Sequence, residues 1–305
     1  MADPMFLPGD ETFSLTAPDG AVLPVYAAKG PPGAPALLVA HANGLAAGSY
    51  APWLAGFAAD LAVFAFDARG HGGSRWPDGA LDAVFHVDRF ADDLALVAAA
   101  IAARHGGELH LAAHSLGAAA ALRLAVRGGA LPWRSALLFE PPIFPAPDSP
   151  HHAEAAAKQT PLIELSARRR AEWERPEALA GLLARRGPFA RFGRDLLAAH
   201  CRATLRARPE GGFALACPPA VESAIFRNHR SADTWQRLSR VAGPVHLVGG
   251  DPRLKDRGWV SAVLPELAGR IAGARLTFIG GTGHMMIFEA PETCRGLVLD
   301  EVRRR

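Results

Sequence analysis

The sequence predicts an α/β fold: a doubly wound, mostly parallel sheet of eight strands with a helical segment inserted late in the chain. Three observations carry this. Eight short runs rich in β-branched and aromatic residues, each closed by Gly, Pro or Asp, read as strands. The later runs are apolar throughout rather than alternating, as expected of strands covered on both faces. Helical stretches alternate with them, the order that builds a parallel sheet. At 305 residues, 50% of them hydrophobic, the chain can hold one large domain carrying an insertion.

The first two runs, residues 12–17 and 22–28, flank Asp19-Gly20 and read as a hairpin. Runs 36–41 and 62–67 follow. Residues 90–104 read as a helix, with Asp92 and Asp93 in its first turn and Gly106-Gly107 just past its end. Run 109–114 leads into a helix over 116–127 that stops at Gly128-Gly129, and 136–140 is the sixth strand. From about Ile143 to Trp235 the alternation breaks. That stretch opens on PPIFPAPDSP, turns rich in Arg and Ala with helical periodicity, and shows no convincing buried strand. It reads as a helical cap, 143–235, set into a core of residues 1–142 and 236–305. Trp173, Phe189, Phe192, Leu196, Leu197, Phe226 and Trp235 need burial that a disordered loop would not give. Strands 245–249 and 275–279 and helices 260–271 and 291–302 complete the core.

Composition narrows the function. The 33 basic and 30 acidic residues leave a net charge of +3, with no nucleic-acid motif beside it. Arg168-Arg169-Arg170 and Arg303-Arg304-Arg305 have no interleaved aromatics and read as a solvated helix face and a frayed tail. MADPMFLPGDETF lacks the basic and apolar regions of a secretory leader, and no run approaches the roughly 18 apolar residues of a membrane span. Cys201, Cys217 and Cys294 are an odd number without C-x-x-C spacing, which points to reduced thiols and a cytoplasmic location. None of the 12 histidines sits in a metal-binding pattern, so no metal is expected. A homodimer is compatible with all of this.

The chemistry centres on Ala113-His114-Ser115-Leu116-Gly117, one residue from the G-x-S-x-G pattern of a strand–turn–helix nucleophile elbow. The positions flanking the serine must be small because strand and helix backbones cross there, and Ala113 adds only a methyl. A serine hydroxyl needs a base to take its proton. His284, on the Gly-rich loop in FIGGTGHMMIFEAP, follows in the chain order nucleophile then base. Acyl transfer also needs N–H donors where negative charge develops; the backbone N–H groups of Asn43 and Leu116 are the expected pair.

With these pieces in place, the sequence resembles the α/β-hydrolase superfamily, in the branch with a helical cap and a serine nucleophile. The resemblance rests on His41-Ala42-Asn43-Gly44, FDARGHGGS (66–74), AHSLG and GTGHMMIFEAPE, which span nearly the whole chain in the right order. It implies that Asp67 and Arg69 shape a loop and do no chemistry. For the acid behind the histidine it implies the loop after the seventh strand, PVHLVGGDPRLKD, where Asp251 directly follows Gly250. Asp256 has the interval to His284 more usual in the family but lies in a charged run. A minority of the family takes the acid from the end of the sixth strand, here Glu140 in LLFEPPIFP, and a glutamate there would be costly to bury unpaired. Asp251 and Glu140 therefore stand as competing choices.

A serine in the elbow excludes the dehalogenases and epoxide hydrolases that share this cap, because they use an aspartate. The expected reaction is attack on an ester or lactone carbonyl through an acyl-enzyme, with no cofactor and a small or medium hydrophobic carbonyl substrate under the cap. Two other readings are a carbon–carbon bond hydrolase of aromatic degradation and a non-catalytic binding protein on the same scaffold.

Overall fold

The computed structural model describes residues 11–129, 131–229, 233–254 and 258–304. Strand β1 (Glu11–Thr16) pairs antiparallel with β2 (Val22–Ala28), and β2 antiparallel with β4 (Ala62–Phe66). The rest of the sheet is parallel: β4 pairs with β3 (Ala36–Ala40), β3 with β5 (Leu109–His114), and β5 with β6 (Ser135–Phe139). The eight-stranded sheet ends on β10 (Val245–Gly250) and β11 (Arg275–Ile279), in the order β1-β2-β4-β3-β5-β6-β10-β11. Strands β3, β4, β5, β6 and β10 are buried along their whole length. That is why their sequences are mostly apolar, His110, His114, Ser135 and His246 aside: helices cover both faces.

Short α1 (Ala51–Ala55) and α2 (Leu81–Val84) precede α3 (Val87–His105) and α4 (Leu116–Arg127). The sequence places the start of α3 three residues late. Its first turn carries Asp88, while Asp93 lies inside the helix, 1% exposed and bonded to Arg69. Gly106 ends α3 at φ 71, where a side chain would be strained. Helices α9 (Trp259–Gly269), α10 (Met286–Glu289) and α11 (Pro291–Arg303) close the core.

Between β6 and β10 lie α5 (His152–Ala167), α6 (Pro176–Leu183), α7 (Arg194–Ala203) and α8 (Pro219–Asn228). They are joined by a small antiparallel sheet of β7 (Glu172–Trp173), β8 (Leu205–Ala207) and β9 (Phe213–Leu215). The sequence reading expected helices alone here. Strands of two or three residues are too short to show a period of two. The segment rests on loops leaving the carboxyl ends of the core strands. Arg206 donates to the carbonyls of Gly72 and Ser74, and Gly193 N–H to that of Phe288. Arg168-Arg169-Arg170 is not a helix face, as expected from sequence, but lies just past α5. There Arg169 pairs with buried Glu222, and Arg170 reaches Glu174 and stacks over Trp173. No helix among the described residues is long and apolar enough to cross a membrane.

Candidate active site

Strand β5 runs into Ser115, which turns the chain into α4 at φ 52, ψ −109. A non-glycine residue held there is strained by about 1–3 kcal/mol, so the surroundings must over-determine it. They do: Ser115 N–H donates to the Phe139 carbonyl at 2.9 Å and Gly117 N–H to that of His41 at 3.2 Å. A Cβ on Gly117 would sit 2.6 Å from the Ala40 carbonyl oxygen, so that glycine is required. Ala113 pairs with Ala40 across the sheet and is 1% exposed, so its methyl is accommodated in the crossing.

His284 lies on the loop after β11. Its Nε2 is 3.0 Å from Ser115 Oγ and its Nδ1 is 2.6 Å from Glu140 Oε2. Glu140 stands one residue past β6 at φ 43; it and Ser115 are the two non-glycine residues of positive φ among those described. Its carboxylate is fully buried, and Oε1 accepts from Gly250 N–H at 2.9 Å and from the Ser261 hydroxyl. Burial by itself raises the pKa of such a group, but the hydrogen bond and charge of His284, with Ser261 and Gly250, outweigh it. The net shift is downward and the carboxylate stays ionised.

Asp251 is not brought to the ring. Both its oxygens are taken by Arg253, at 2.9 Å, and Oδ2 also accepts from Gly281 N–H at 3.0 Å. Those bonds, Arg253 foremost, hold its pKa well below the usual carboxylate range. The sequence left Asp251 and Glu140 as equals; in space only Glu140 reaches His284. Asp256 lies outside the described residues. The end of β10 explains the difference. A Cβ at Gly250 would lie 2.6 Å from the Gly283 carbonyl oxygen, so the strand end closest to the histidine loop has no room for a side chain. It contributes a backbone donor to Glu140 instead.

The turn after β3 is held by three histidines. A carbonyl can only accept, which assigns each ring's protons. His41 Nδ1–H donates to Ala42 O at 2.8 Å, and its Nε2 accepts from Ala68 N–H at 3.0 Å. His71 Nδ1–H donates to Arg69 O at 2.9 Å, and its Nε2 accepts from Gly44 N–H at 3.0 Å. Burial, then repulsion by His41, lowers His71 to about 3, so it stays a neutral acceptor. Ala42 N–H donates to Tyr50 Oη, whose partner is the third ring, His114, and Leu45 N–H donates to Ala42 O. Among the described residues the Asn43 N–H has no acceptor, and neither does Leu116 N–H at the start of α4. Leu116 opens α4 directly after Ser115, and Asn43 lies two residues past His41, whose carbonyl accepts from Gly117 N–H.

Asp67 accepts from Tyr26 Oη, Ala47 N–H and Gly73 N–H. Arg69, 1% exposed, lies between Asp93 and Asp19. Neither makes a bond to Ser115, His284 or Glu140. Sequence reasoning passed over Gly250, Ser261, His71, Tyr50 and the role of His114. Gly250, His71 and His114 stood inside the quoted motifs, but no spacing marks Ser261 or Tyr50.

The model of the alpha/beta hydrolase family matches residues 37–296. Among solved structures, E-2-(acetamidomethylene)succinate hydrolase superposes with a TM-score of 0.75 at 21% identity, over 96% of this chain and 100% of that one. The enol-lactonase of Burkholderia xenovorans gives 0.66 at 18%, over 93% and 97%. The thioesterase domain of the curacin biosynthetic pathway gives 0.67 at 20%, over 95% and 99%. Among functionally curated proteins, none matches the chain by sequence. At these identities the structural likeness shows the fold.

Proposed function

We propose, from the premise that the chain belongs to the alpha/beta hydrolase family, that it is a serine hydrolase cleaving carboxylic esters or lactones through an acyl-enzyme. The observation that carries this reading is the continuous line from Glu140 Oε2 through His284 to Ser115 Oγ, at 2.6 and 3.0 Å. Glu140, ionised and buried, holds the proton on His284 Nδ1 and leaves Nε2 free to accept from the serine. Ser115 Oγ attacks the carbonyl carbon as its proton passes to His284 Nε2. The N–H groups of Asn43 and Leu116 receive the oxyanion. As the tetrahedral species collapses, His284 returns the proton to the leaving oxygen. Water, deprotonated by the same nitrogen, then releases the acid and frees Ser115.

The segment 143–235 acts as a cap in this reading, seated on the loops at the carboxyl ends of the strands. Its Phe192 stacks on Phe288 of α10, just after His284, ring centroids 4.4 Å apart, which fixes the segment beside the base. The test is a fluorophosphonate probe with a panel of p-nitrophenyl esters and small lactones. Wild type takes the label and turns over; Ser115→Ala does neither. Equal labelling of the two would overturn the reading in favour of a binding protein, and turnover confined to a dienone substrate would favour carbon–carbon cleavage.

A further inference from the structure

Behind the reacting groups runs a second, buried chain of hydrogen bonds. His114 Nε2 is 2.9 Å from the backbone oxygen of His284, so that nitrogen carries the proton. A neutral ring then has a bare lone pair on Nδ1, and Tyr50 Oη, 2.7 Å away, donates to it. The same phenol oxygen accepts from Ala42 N–H at 3.1 Å. Tyr50 is fully buried, His114 is 1% exposed and Ala42 is 3% exposed. Bulk solvent does not reach these groups, and each bond has one direction: Ala42 N–H to Tyr50 Oη–H to His114 Nδ1, and His114 Nε2–H to His284 O.

The two ends of this chain matter. Ala42 immediately precedes Asn43 in the turn after β3, and His284 is the base. His114 immediately precedes the nucleophile. We propose that Tyr50 and His114 are positioning residues that hold the oxyanion turn and the backbone of His284 in register with Ser115. This rests on the serine-hydrolase reading. This pair ties together three elements distant in sequence: the turn after β3, the elbow and the loop after β11. A shift of about 1 Å at such groups costs on the order of a hundredfold in rate. Burial, then the charge of His284, lowers His114 to about 3, which keeps the ring in its single neutral form while the base gains and loses its proton. Tyr50 is further fixed by Phe288, its ring 4.9 Å away, beside the same base loop.

The experiment compares Tyr50→Phe, His114→Leu and His114→Gln, and the Tyr50→Phe/His114→Leu double variant, on p-nitrophenyl butyrate. Rates are taken per site titrated with the fluorophosphonate, and folding is followed by Tm. Tyr50→Phe removes one oxygen and is expected to lower kcat about tenfold, with KM within about twofold. His114→Leu is expected to fall further, His114→Gln to recover part of the loss because its amide can still donate to the His284 carbonyl, and the double variant to be no worse than His114→Leu by more than about twofold, since residues acting as one unit are non-additive. Should His114→Leu not fold, Tyr50→Phe and His114→Gln decide the matter. A Tyr50→Phe variant with wild-type kcat per titrated site, or losses that multiply in the double variant, would overturn the proposal. A wild type that takes no label at Ser115 overturns the serine-hydrolase reading and this proposal with it.

Discussion

Glu140→Gln changes almost nothing but a charge, and the structure shows which way the new amide must turn. Position Oε1 receives two donors, Gly250 N–H and the Ser261 hydroxyl, whereas Oε2 faces one, His284 Nδ1. The amide oxygen therefore stays at the two-donor side, and the amide NH2 faces the imidazole. His284 must then offer a lone pair at Nδ1 and carry its proton on Nε2, pointing at Ser115. The base becomes a donor and cannot accept the serine proton. The equivalent acid-to-amide change in a serine protease triad costs about ten-thousandfold in kcat. At about 1.36 kcal/mol per decade that is about 5.5 kcal/mol of transition-state stabilisation. We expect kcat on p-nitrophenyl butyrate to fall about 1,000- to 10,000-fold, with the far-ultraviolet dichroism unchanged. Asp251→Asn is the comparison, because its oxygens serve Arg253 and Gly281 rather than the ring. A loss within about threefold is expected, as it leaves the charge at the imidazole in place. The reasoning is refuted if Glu140→Gln keeps more than a tenth of wild-type kcat, or if Asp251→Asn falls as far.

Two further outcomes follow from the same geometry. Gly250→Ala would place a methyl 2.6 Å from the Gly283 oxygen and 2.7 Å from that of Thr282. Displacement of the base loop should lower kcat on the order of a hundredfold and stability by about 1–3 kcal/mol, read by steady-state kinetics and urea unfolding. Acid should also destabilise the protein from an unusually high pH. Burial lowers His71, His114 and His200 to about 3. In the unfolded chain each titrates near 6.5, so the unfolded state binds more protons below that pH. Their contribution is fully present above about pH 6.5 and is lost as pH falls towards 3, at up to about 1.4 kcal/mol per pH unit for each ring. Calorimetry should show a Tm that is flat above about pH 7 and declines below about 6.5. A Tm constant from pH 8 to 5 would contradict three rings buried as neutral species.

The eight core strands, the tight turn at Ser115 and the Gly-rich loop at His284 were legible in the sequence because each is a local property. Mostly apolar runs report burial on both faces, and Ala113 and Gly117 report a close backbone crossing around one serine. The inserted segment was legible as an interruption, but its three-stranded sheet was not, since strands as short as Glu172–Trp173 carry no period. Which carboxylate meets His284 could not be read. Glu140 and Asp251 each end an apolar strand, and sequence distance from His284 does not measure which side chain turns towards it. That was decided in three dimensions by two residues with no catalytic look of their own. Gly250 leaves no room for a side chain beside the Gly283 carbonyl and turns its N–H to Glu140, and Arg253 takes both oxygens of Asp251. The chain alone therefore pointed to Ser115 and His284 as the proposed nucleophile and base. Which charge stands behind them was decided by tertiary packing, because a buried carboxylate persists only where several distant donors converge on it.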